Sequence, residues 1–190
     1  MRTADKVLAR LKNELPPHLV YHNEAHTRYV LEKTALLAEK EHVLGRDCLL
    51  LFLAALYHDS GFLVGSNDHE HRSCEMVREA LVPERINKTE LDAVCTTIMA
   101  TAIPQKPKSL SGAILADADL FYLGTDDYDF YANKLYQELS YFRPGFAQNE
   151  WFEMQVNFLK MHRYHTDFCK NFLEATKEEH LRKLVKRADP

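Results

Sequence analysis

No stretch of this 190-residue sequence is apolar for long enough to cross a bilayer, and its first residues lack the pattern of a secretory leader. A cytoplasmic location is therefore expected. No long basic run is present and the formal charge is −4, which argues against nucleic acid as the main partner. The four cysteines, Cys48, Cys74, Cys95 and Cys169, form no C-x-x-C pair and each sits within a helical pattern, so they read as reduced, mostly buried thiols. No segment sustains the period-two alternation of a half-buried strand, and there is no Asn-Gly hairpin signal, internal repeat or low-complexity linker. These absences leave one all-α domain over residues 1–190, with about eight or nine mostly short helices.

What is present is apolar material for a core, 46% of residues, and ten histidines, whose positions matter. The chain is organised around Leu49–Gly61, LLLFLAALYHDSG. Its apolar part predicts a helix buried on all sides, running from about Arg46 to His58. An imidazole and a carboxylate, His58 and Asp59, stand at its end, and Gly61 is expected to close it in a left-handed conformation. Taken alone, the dipeptide fits a buried ion pair better than a metal site, and the rest of the chain decides.

The flanking helices follow from spacing and caps. Val7, Leu8, Leu11 and Leu15 share a face before Pro16-Pro17. Asn23 caps a helix from Glu24 to about Glu41, which puts His26 in the first turn and His22 just ahead of it. Asn67 with Glu70 resembles a capping box, opening a helix that carries Met76, Val77 and Leu81 to Pro83; Asn87 with Glu90 repeats the pattern. Pro104 and Pro107 mark a loop. Ala113–Leu123 reads as a helix bearing Asp117 and Asp119, closed by Gly124. Thr125 caps the next, Pro144-Gly145 ends it, and Trp151, Gln155, Phe158 and Leu159 share a stripe beyond. Thr166 caps the last helix, whose basic end suits a helix C-terminus.

A histidine at a helix start, a His-Asp pair at the end of a buried helix and a later aspartate in an apolar helix resemble the HD superfamily of metal-dependent phosphohydrolases, whose signature is H…HD…D on a helical bundle. Tyr21-His22-Asn23-x-x-His26 looks like the YHNxxH motif of the cyclic-nucleotide phosphodiesterase branch. His58-Asp59-Ser60-Gly61-Phe62-Leu63, then His69-Glu70 and Ser73, are similar to small stand-alone bacterial members. So are Ala100-Thr101, Pro104-Gln105 and Ile114–Leu120. The likeness covers about residues 20–125, with helices of 126–187 expected to pack on that part.

The resemblance implies His26, His58, Asp59 and Asp117 as metal ligands, with Asp117 preferred over Asp119 because Leu123 then falls six residues later. It implies His22 as the acid that protonates the leaving oxygen, and Asp59 also as the group that holds the attacking water. His69 and His71 are candidates for a second metal or for phosphate. Gln105, Lys106 and Arg143 are polar groups in or near loops that suit a substrate contact. Mixed imidazole and carboxylate ligands suit manganese, nickel, cobalt, zinc, iron or magnesium rather than calcium. The expected substrate is a small phosphate ester, of a nucleotide by resemblance. Two other readings stay open: a di-iron oxygenase, disfavoured because Arg72–Asp117 contains no histidine, and a non-catalytic metal- or nucleotide-binding module. A homo-oligomer is compatible with the sequence.

Overall fold

The computed structural model describes residues 3–81 and 86–188. Ten α-helices run through them: α1 Thr3–Glu14, α2 Glu24–Lys40, α3 Gly45–Tyr57, α4 His69–Leu81, α5 Lys88–Ile98, α6 Leu110–Asp119, α7 Tyr128–Phe142, α8 Gln148–Met161, α9 Asp167–Phe172 and α10 Glu174–Ala188. Short 3-10 turns stand at Ser60–Leu63, Met99–Thr101 and Phe121–Gly124. The described residues contain no strand. The expected continuation of α4 to Pro83 lies outside the described residues.

α3 sits between α2, α5 and α6, with Leu51 and Ala54–Tyr57 buried on its inner faces. A continuous cluster of buried apolar side chains reaches from Val7 in α1 to Leu184 in α10. The caps behave as their chemistry demands. Asn23 is extended, and its side-chain oxygen accepts from the backbone N–H of Ala25 and His26, at 3.0 and 3.2 Å. Asn87 and Glu90 form a reciprocal capping box. The pair Asn67 and Glu70 does not: α4 starts at His69, after Asp68 in the left-handed region at φ 52°.

Neither Gly61 nor Gly124 closes a helix with positive φ. Both are places of close approach. A Cβ on Gly61 would fall 2.0 Å from the His69 carbonyl oxygen, and one on Gly124 would fall 2.5 Å from that of Leu173. The first approach presses the turn after His58-Asp59 onto the start of α4. Ser73 then stitches the two together: its hydroxyl donates to the His58 carbonyl at 2.7 Å and accepts from the Gly61 N–H at 2.8 Å.

α6 ends at Asp119, earlier than its apolar pattern suggests, and the chain turns away through Leu120 and the 121–124 turn. Asp117 and Asp119 are two positions apart on a helix, so their side chains diverge by about 200°. Asp117 is fully buried and faces the segment between α8 and α9. It accepts from the backbone N–H of His165 at 2.9 Å, and from both the N–H and the hydroxyl of Thr166 at 2.7 Å. Thr166 in turn caps α9. Asp117 is thus the tie that fastens the C-terminal helices to α6.

Replacing Asp117 by Ala leaves those donors without their acceptor and is expected to cost about 2–4 kcal/mol. For a chain of this length that is a drop of roughly 5–15 °C in melting temperature, read by circular dichroism with and without divalent cation. A metal ligand would instead show its effect only when cation is present.

Candidate metal centre and adjoining cavity

Four side chains converge where α2, α3 and α6 meet. His26 comes from the first turn of α2 and is buried, so the Asn23 cap that starts the helix also sets its position. His58 is the residue at the C-terminal end of α3, and Asp59 follows it. Asp119 is the last residue of α6. His26 Nε2 lies 3.0 Å from Asp119 Oδ1 and 3.5 Å from Asp59 Oδ2. His58 Nε2 lies 3.2 Å from Asp59 Oδ2 and 3.7 Å from Asp119 Oδ1. One donor atom each from His26, His58 and Asp119 fall within 4.8 Å of one another.

His58 Nδ1 is 2.8 Å from the Ala55 carbonyl oxygen, so that nitrogen keeps its proton and Nε2 is the one that a cation would take, in exchange for a proton. Nε2 of His58 and Oδ2 of Asp59 are both buried without a conventional hydrogen-bond partner. A pair of unmatched buried donor atoms, with two carboxylates and two imidazoles around one point, fits a divalent cation. The electrostatics agree. Burial opposes charge on His58, yet Asp59 and Asp119 outweigh it and lift the ring's pKa to about 9. Burial likewise opposes charge on Asp59, but the neighbouring His58, His22 and His26 hold its carboxyl far below the usual range. The cluster therefore favours added positive charge.

His22 and His69 flank this point. Both rings stack against Phe62, with centroids 4.4 and 4.2 Å away, and His69 Nε2 is 3.6 Å from Asp59 Oδ1. Glu138 of α7, buried, reaches across to His22. Its carboxylate accepts from the backbone N–H of Tyr21 and His22, at 2.8 and 3.0 Å, and meets His22 Nδ1 at 2.5 Å. Burial lowers the His22 pKa and raises that of Glu138, but their mutual pairing wins in both, leaving His22 raised and Glu138 lowered. Nδ1 is fixed on Glu138, and the other ring nitrogen is left for chemistry.

A cavity of about 290 Å³ opens from His22, Asp59, His69 and Asp119 and continues between α7 and α8. The other sequence candidates lie elsewhere. Asp117 is turned to His165 and Thr166, and Asp119 takes the place facing the histidines. His71 and Lys106 line a separate cavity with Arg78 and Lys108. The Gln105 amide donates to the Ala116 carbonyl at 3.0 Å, and Arg143 is exposed, paired with Glu150 at 3.3 Å. Glu138 is the residue that spacing arguments passed over. Its signal was there: Tyr131, Leu135, Glu138 and Phe142 follow the helical stripe, so a carboxylate stands where an apolar side chain is expected.

The HD domain model matches residues 23–122, more than half of the sequence. This chain belongs to the HD domain family. The match covers the family as a whole; it begins after Tyr21-His22 and does not single out the cyclic-nucleotide branch that the motif there resembles. Among solved structures, this HD domain chain is similar to "The crystal structure of Bacillus subtilis YpgQ in complex with ADP", at 20% identity and TM-score 0.65, with 97% of each chain covered. That likeness extends the shared fold to the helices beyond residue 122. No curated protein matches the chain.

Two expectations follow for this HD domain. Asp119→Ala weakens manganese binding by at least about a hundredfold in calorimetry, while Asp117→Ala at a temperature where it stays folded does not. For Glu138, the sign is set by the two shifts. The raised His22 contributes stability in full below its ordinary 6.5 and loses it as pH rises through the raised value; the lowered Glu138 contributes in full above its ordinary 4.5 and loses it as pH falls. Glu138→Gln therefore lowers the urea midpoint most between pH 4.5 and 6.5, and less at pH 9.

Proposed function

We propose that this protein is a metal-dependent phosphohydrolase that cleaves a small phosphate ester, of a nucleotide, by attack of water. The observation that carries the reading is the convergence of the unmatched His58 Nε2 and Asp59 Oδ2 with His26 and Asp119 at one buried point on the cavity wall. HD domain proteins are generally metal-dependent phosphohydrolases, and the ADP bound by YpgQ favours a nucleotide over other esters.

His26, His58, Asp59 and Asp119 would hold the cation. When bound, a divalent cation lowers the pKa of water toward neutrality and offsets the negative charge of a phosphoryl group. The residues do the rest. Asp59, with Oδ1 facing His69 and Oδ2 facing the histidine pair, holds and orients the attacking water, whose proton passes to solvent. His22, held by Glu138 through Nδ1, gives a proton from its other nitrogen to the leaving oxygen. Burial lowers its pKa, but the pairing with Glu138 outweighs this and raises it, the direction an acid needs. Phe62 packs against His22 and His69 and restricts both rings.

The test is release of phosphate from a panel of nucleotides by protein reconstituted with manganese, nickel, cobalt, zinc, iron or magnesium. Chelation and Asp59→Ala are expected to abolish turnover with loss of bound metal. His22→Ala is expected to lower kcat by about 10²–10⁴-fold with metal content unchanged. Turnover by metal-stripped protein overturns the proposal, and loss of metal from the His22 variant reassigns that residue as a ligand.

A further inference from the structure

The cavity beside the metal cluster is sharply divided in character. One end presents His22, Asp59, His69, Glu70 and Asp119. Beyond them the lining is mostly apolar, with Leu135 and Leu139 from α7, Trp151, Met154 and Phe158 from α8, and Leu120. No lysine or arginine is among the described residues that line it. Several basic side chains near the lining in sequence are engaged elsewhere, Lys134 over the Phe130 ring among them. Arg72 packs over Gly65, Lys106 and Lys108 line another cavity, and Arg143 pairs with Glu150. The other polar groups of the lining are already engaged: the Tyr128 hydroxyl donates to Gln155 Oε1 at 2.8 Å, the Thr101 hydroxyl donates to the Ile98 carbonyl at 2.8 Å, and Tyr21 and Tyr122 are paired through their hydroxyls.

A phosphoryl group at the cluster is matched by a cation there. A second or third phosphate would enter walls that offer it carboxylates or hydrocarbon and no counter-charge, which is costly. An uncharged organic group entering the same walls releases water from apolar surface on both sides. The volume suits one ring system or a short alkyl chain rather than a whole large ligand.

We infer that the α7–α8 recess binds the organic half of the substrate, and that the substrate is therefore a single-phosphate ester whose organic half ends in an uncharged aromatic or aliphatic group. Among nucleotides this favours a monophosphate over the di- and triphosphates, so the ADP bound by YpgQ bears on the organic half and not on the number of phosphates. This rests on the phosphohydrolase reading for the phosphate end but on the recess alone for the organic end.

Trp151 lines the recess and is the chain's single tryptophan, so its emission reports occupancy without turnover. Manganese-loaded protein is titrated with benzylphosphonate, methylphosphonate and ATP, and separately with benzyl alcohol, which carries no phosphorus. Benzylphosphonate is expected to bind on the order of thirtyfold more tightly than methylphosphonate, and more tightly than ATP, with a change in Trp151 emission. Benzyl alcohol should compete with it. Met154 is exposed enough for a charge to be tolerated by the fold, so Met154→Glu should bring the benzyl-to-methyl ratio toward one. Equal affinity for the two phosphonates in the unaltered protein, or tighter binding of ATP, overturns the inference. If benzyl alcohol changes Trp151 emission while neither phosphonate binds, the recess stands as an uncharged-ligand site and the phosphohydrolase reading fails.

Discussion

The structure depends on one costly arrangement: His26, His58 and Asp59, all buried, gathered with the half-buried Asp119 where three helix ends meet. Unpaired, such groups would each lose several kcal/mol of hydration on leaving water. Their positions are held by elements that are themselves over-determined. Asn23 starts α2 so that His26 stands in its first turn. The Ala55 carbonyl fixes the tautomer of His58, and Ser73 binds the backbone on both sides of Asp59. α6 stops at Asp119, whose carboxylate closes the ring of contacts. The aliphatic core holds a polar site that is poor for stability and good for attracting a cation.

A second layer of support comes from the C-terminal half. Asp117 and Asp119 share one short helix and divide two tasks by direction. The first accepts from His165 and Thr166 and anchors the segment between α8 and α9; the second faces the histidines. Glu138 on α7 reaches back to orient His22. α7 and α8 also supply the apolar walls of the cavity. Residues beyond the family match at 23–122 thus set both the orientation of His22 and the character of the recess.

Much of this was legible from residue types. The buried helix ending in His58-Asp59, the Asn23 and Asn87 caps, and the break at Pro144-Gly145 depend on local chemistry that travels with the sequence. What local chemistry does not carry is rotation about a helix axis when both faces are buried. α6 is apolar almost all round, so periodicity could not say which aspartate points to α2. Gly61 was legible as a necessary glycine but not for the right reason, since its neighbour is the carbonyl of His69 and not its own torsion. Arg143 and Lys106 were plausible phosphate contacts by residue type, but Arg143 pairs with the nearby Glu150 and Lys106 lines a different cavity. Glu138 broke an apolar stripe, and its partner lies 116 residues away, beyond the reach of spacing.

The central claim is that a divalent cation sits among His26, His58, Asp59 and Asp119. It is tested most directly by crystals grown with manganese and measured at a wavelength where manganese scatters anomalously. The account predicts an anomalous peak within coordination distance of His58 Nε2 and Asp59 Oδ2, with Asp119 also bound and Asp117 still on His165 and Thr166. A peak beside Asp117, or full manganese content with no peak at this cluster, would contradict it.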